Sequence, residues 1–204
     1  MRLSIAEICI IFIACLMAGG RLLRWGRRRY GIEVKPAFRV AFVLAGSLAC
    51  LWILEIRGMT LESVLYSLCT FVLLMIGIID EKTFEIPVEL NLFMGALGVV
   101  RLSADLACWQ EYLAGMAAVS SLLLVAGLLT KGKGIGGGDI KMMAAAGLLL
   151  GAEGIVPAFF LGSLTGLLIH PLRMKLWGKS RVMALGPYLS FGILAVMVLG
   201  DEIL

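Results

Sequence analysis

Two aspartates stand where a pair of carboxylates could do chemistry. Asp139 closes the run Gly136-Gly137-Gly138-Asp139-Ile140-Lys141, which lies between two stretches too apolar for a soluble protein. A carboxylate at or near bilayer depth costs several kcal/mol unless it faces protein or water, so Asp139 calls for a partner. Asp80 ends the apolar run Phe71 to Ile79, and the short turn after it closes on Ile86-Pro87, where proline can open a helix. Two such groups at one depth can hydrolyse an amide: one, ionised, takes a proton from water while the other, protonated, polarises the carbonyl. Close like charges favour that division, and the resulting titration belongs to the pair. The glycines let the backbone turn sharply and let a substrate strand approach the carboxylate.

The elements that must position this pair are apolar. The chain of 204 residues is 61% hydrophobic and 16% charged, with a mean hydropathy of +1.01, which is the composition of a polytopic membrane protein rather than a soluble domain. Runs of spanning or near-spanning length cover Leu3 to Gly19, Phe38 to Ile56, Ser63 to Ile79, Val88 to Leu102, Tyr112 to Leu129, Asp139 to Ala152, Ile155 to His170 and Val182 to Leu199. The expected fold is therefore all-α with about eight transmembrane helices. The 14-residue sixth run rises only about 21 Å, less than the roughly 30 Å hydrocarbon core, so it should start below the surface beside the glycines. With the first helix starting outside, Arg21, Arg24, Arg27, Arg28, Arg29, Lys35, Arg39, Lys82, Lys131, Lys133, Lys141, Arg173, Lys175, Lys179 and Arg181 all fall inside. Of the 18 basic residues, only Arg2, Arg57 and Arg101 are left for the other face. This bias predicts both termini outside and both aspartates near the cytoplasmic surface. The basic cluster from Arg21 to Arg29 is then a topological and anionic-lipid signal, not a nucleic-acid site.

Asp80 followed by Ile86-Pro87, and Gly136-x-Gly138-Asp139 continued as Ile140-Lys141-Met142-Met143, resemble the two motifs of the type IV prepilin peptidases, a G-x-G-D group of aspartic proteases. Leu185-Gly186-Pro187-Tyr188-Leu189 also resembles that family's closing segment, and the likeness runs over about residues 61–200. It implies a six-helix catalytic core over 61–204, preceded at 1–60 by two transmembrane helices joined by a short basic loop. It further implies cleavage of the leader from prepilin or pseudopilin-like membrane substrates, with Asp80 and Asp139 as the catalytic pair. Bifunctional members carry a cytoplasmic domain with paired C-x-x-C motifs and N-methyltransferase activity after the first helix. Here Gly20 to Lys35 is basic and without cysteine, so peptidase activity alone is expected. The position after Pro87, often Asn in the family, is Val88, with Asn91 three residues on.

Simpler roles accompany these. Asp139 is expected to act as an N-cap as well, since Asp suits the positive end of a helix. Gly136, Gly137 and Gly138 line the substrate path, and Lys141 is a snorkelling charge that could also meet substrate. Glu81, Glu85 and Glu89 read as a solvated face, with Glu85 and Glu89 able to attract a basic leader. His170 has no assigned role. Cys9, Cys15, Cys50, Cys69 and Cys108 lie mostly within apolar runs without a C-x-x-C pair, so no metal is implied. Gly132-x-Gly134-x-x-Gly137 fits a dinucleotide motif only formally, lacking the strand it needs, and no cofactor is expected. An ion- or proton-coupled transporter or channel using the same pair and the glycine-broken helix is the alternative.

Overall fold

The computed structural model describes residues 4–131, 134–177 and 182–203; Arg2, Leu3, Gly132, Lys133, Lys179 and Arg181, all used in the sequence reading, lie outside the described residues. The described residues contain no strand. Helix α1 (Ile5–Tyr30) starts at a capping box, with Ser4 Oγ accepting from the Glu7 amide and Glu7 accepting from the Ser4 amide, and ends at left-handed Gly31. The expected basic loop is largely helical: α1 carries Arg21 to Arg29 on its last turns, and only residues 31–35 connect it to the next helix. Straight-chain arginines are good helix formers, so the end of the apolar run is not the end of the helix. Helix α2 (Pro36–Arg57) opens on a proline, and α3 (Leu61–Thr83) on a Thr60/Ser63 box. Helices α4 (Val88–Ala104) and α5 (Trp109–Leu129) follow, joined by a single 3-10 turn. Helix α6 (Gly137–Trp177) and α7 (Gly186–Ile203) complete the bundle. Five of the seven helices are long and apolar enough to cross a membrane, so the chain is an all-α, multi-pass membrane protein.

The sixth and seventh apolar runs are two arms of α6, with no intervening loop. Gly151 alone, at φ 74° and ψ 177°, breaks the helical path. A straight helix would separate Asp139 and Arg173 by about 51 Å at 1.5 Å per residue, yet both side chains interact with neighbouring residues of α3, Asp80 and Glu81. Gly151 therefore reverses the chain, and the arms 137–150 and 152–177 return to the same end of the bundle. Its φ is one that L side chains rarely adopt. Glu111 of α5 stabilises the turn by accepting a hydrogen bond from the Glu153 amide at 2.8 Å, a carboxylate at the positive start of the second arm. Glu111→Ala is expected to cost about 1 kcal/mol, the usual range for losing a helix cap, read as a thermal midpoint in detergent a few degrees lower.

The helices form two packed groups. One consists of α1, α2 and α3; in the other, α4 and α5 pack against α6, and α7 bridges the groups by lying against both α3 and α6. The closest approach is that of α5 and the first arm of α6. A Cβ built on Gly147 would lie 2.1 Å from Gly115 O, and one on Gly115 2.4 Å from Gly147 O. Only glycine permits backbones to meet so closely, as in membrane helix pairs generally. Buried Phe71, Met75, Ile76, Ile79, Met94, Met142, Met143 and Ile193 fill the centre.

Candidate active site

Asp80 lies near the end of α3 and is only 5% exposed. Its Oδ2 accepts a hydrogen bond from the Gly186 amide at 2.8 Å. That amide opens α7, where Pro187 has no N–H to offer and the Tyr188 and Leu189 amides bond back to Leu185 O. The side chain of one helix end thus satisfies the orphan donor of another and sits at the favourable end of its dipole. Gly186 must be a glycine: a Cβ there would stand 2.7 Å from Asp80 Oδ2 and 2.9 Å from its Cβ. Gly186→Ala is expected to displace the carboxylate and slow any reaction it performs by about 10- to 100-fold, as misplacement by about 1 Å does, with substrate affinity little changed in a steady-state assay.

Asp139 is 8% exposed and differs in place from the expected cap. Gly136 is the residue before the helix, its carbonyl accepting from the amides of Asp139 and Ile140, and Asp139 occupies the third helical position. Its Oδ2 turns back towards Gly136, so close that a Cβ on Gly136 would be 3.0 Å away. The helix end still gains an anion, as in the acidic half of a capping box. The other oxygen, Oδ1, is buried and accepts no hydrogen bond from a described residue.

Asp80 is carried by α3 and Asp139 by α6. Among the described residues the two helices do not pack backbone to backbone; α4 and α7 lie between them. Asp80 nevertheless lies within electrostatic reach of Asp139. The motif segments touch as well: Ile86 packs on Gly138, where a Cβ would fall 3.0 Å from Ile86 Cβ, and Asn91 Nδ2 donates to Gly138 O at 3.3 Å. Asn91 does not follow the proline directly. One turn into α4 it faces the glycines and is 6% exposed; the available signal was a carboxamide within an apolar helix.

The remaining residues are dispersed. Gly136 and Gly137 are exposed beside the pair, and a Cβ on Gly137 would meet nothing within 4 Å. Lys141 is exposed and is held by no hydrogen bond or ion pair among the described residues. Glu85 is exposed on the turn, whereas Glu89 is engaged by Arg29 at 3.4 Å and by the Tyr30 hydroxyl at 3.0 Å. Glu81 departs from the expected solvated face. Arg173 of the second α6 arm binds both its oxygens, because the return at Gly151 delivers a guanidinium there. No three His, Cys, Asp or Glu side chains gather into a metal site among the described residues.

The geometry accords with comparison to known proteins. The model of the Type IV leader peptidase family matches residues 67–170, just over half of the chain, including both aspartates. The chain belongs to that family. The type IV leader peptidase match starts within α3 and ends in the second arm of α6, so Gly186 and Pro187, included in the expected likeness, lie beyond it. The prepilin leader peptidase/N-methyltransferase of Bacillus subtilis is 31% identical over 153 residues, covering 72% of this chain and 60% of that protein. The protein of the same name from Legionella pneumophila is 29% identical over 158 residues, 72% of this chain and 54% of that protein. The chain thus spans less than two thirds of either relative. No solved structure is a significant match. The comparisons lend the ion-transport reading no support.

Proposed function

We propose that the protein is a membrane aspartic endopeptidase that removes the leader from prepilin-like membrane proteins at the cytoplasmic face. The observation that carries this reading is two buried aspartates within electrostatic reach of each other, one from each helix group, in a member of the type IV leader peptidase family. Water held between Asp80 and Asp139 gives a proton to the ionised carboxylate and adds to the scissile carbonyl carbon. The protonated carboxyl gives its proton to the carbonyl oxygen. Collapse of the tetrahedral species breaks the C–N bond and returns a proton to the leaving amine, which needs no covalent intermediate. The bias of basic residues supports a cytoplasmic site and outward termini. The exposed glycines leave the approach to Asp139 open for an extended substrate strand, with Glu85 and Glu89 on the side where a basic leader would lie. N-methylation, named for the relatives, is not part of this reading: the link between α1 and α2 is residues 31–35.

The test is co-expression of the protein with a panel of prepilin-type substrates, reading products by intact mass. A single cut that removes the leader is expected. Correctly inserted protein that cleaves none of the panel would overturn the reading, and ion flux in substrate-free vesicles would then favour transport.

A further inference from the structure

Arg173 lies more than thirty residues beyond Asp139 along the same helix, yet its guanidinium reaches the neighbourhood of the other aspartate. Nη1 is 3.2 Å from Glu81 Oε2 and 3.1 Å from the Tyr188 hydroxyl, and Nη2 is bound to Glu81 Oε1. Glu81 adjoins Asp80. Tyr188, 5% exposed, follows Gly186 by two residues, and Gly186 is the donor that holds Asp80. The His170 ring stands edge-on to the Tyr188 ring at 6.4 Å and so limits its tilt. One side chain therefore ties the end of α3 to the start of α7, the two segments whose relative position fixes the Asp80–Gly186 hydrogen bond.

We infer that Arg173 is a positioning residue for Asp80, acting through Glu81 and Tyr188; this rests on the peptidase reading above. The planar fork of arginine matches a carboxylate in two parallel bonds, which a lysine ammonium does not reproduce. It also neutralises Glu81. Without Arg173, the negative charge of Glu81 would be less compensated one residue from a pair whose chemistry depends on sharing a single proton.

The test is steady-state cleavage of a purified prepilin-type substrate in detergent, with thermal midpoints recorded for every variant. Arg173→Gln is expected to lower kcat by about 30-fold, within the range for misplaced catalytic groups, with KM within about twofold. Arg173→Lys, which keeps charge without the fork, should fall between. Removing Glu81 as well, in Glu81→Gln/Arg173→Gln, should recover several-fold of the lost kcat, which a purely structural contact would not do. Tyr188→Phe removes one hydroxyl and keeps the ring, and should cost a few-fold in kcat alone; it serves if Arg173→Gln does not fold. Unchanged kcat in Arg173→Gln, or in Tyr188→Phe where Arg173→Gln is unfolded, overturns the inference while leaving the peptidase intact, as does a loss wholly in KM. A wild type that cleaves nothing removes the reading and the inference together.

Discussion

Asp80→Asn and Asp139→Asn are each expected to lower the cleavage rate by at least about a thousandfold, the upper range for losing a general acid or base. Asparagine has nearly the size and hydrogen-bonding shape of aspartate, and at position 80 its carbonyl can still accept from the Gly186 amide, so the bundle is preserved. It can neither take a proton from water nor return one. On the proposed mechanism the two carboxylates act as a unit, so the double variant is expected to be no slower than either single one, as groups sharing a step are strongly non-additive. Initial rates by mass spectrometry, on variants at matched expression and with thermal midpoints near wild type, decide the matter. A single variant retaining a tenth of the wild-type rate would remove that residue from the mechanism.

Gly147→Val carries the largest expected effect on stability. A Cβ at this position would lie 2.1 Å from the Gly115 carbonyl oxygen and 2.5 Å from its carbon, and backbone atoms cannot step aside as a flexible side chain can. Helix α5 and the first arm of α6 must separate, at about 3 kcal/mol, the upper end for overpacking. In a protein of this size that lowers the thermal midpoint by about 6–12 °C. Cleavage should fall with it, since the displaced arm carries Asp139. Gly20→Ala is the control. Nothing lies within 4 Å of a Cβ there, so the midpoint should hold or rise slightly from helix propensity alone. An unchanged midpoint for Gly147→Val would mean that this backbone crossing is looser than it stands here.

The two aspartates were legible because each breaks an apolar pattern: Asp139 after glycines that no ordinary membrane helix needs, and Asp80 before a turn that ends on Ile86-Pro87. The short rise of the first α6 arm followed from counting residues. Other features depended on tertiary contacts that periodicity does not carry. Glycine at 151 resembled the many others of the chain, and only its φ and the Glu111 carboxylate beneath it distinguish a reversal from a loop. Arg21 to Arg29 marked the end of the apolar run, but charge says nothing about whether a helix stops at the lipid surface. Asn91 and Arg173 were read by their neighbours in sequence, whereas their partners, Gly138 and Glu81, are 47 and 92 residues away. Gly186 is visible in sequence only as part of the closing segment; that its amide holds Asp80 requires the fold.

Helices α3 and α6 do not pack on each other but are spaced by α4 and α7, so the distance between the two carboxylates is set indirectly, through the contacts each helix makes with its neighbours. On the proposed mechanism, a ligand whose tetrahedral hydroxyl bridges both carboxylates would add a direct link between the two helix groups, and should raise the thermal midpoint of the bundle as well as block the reaction.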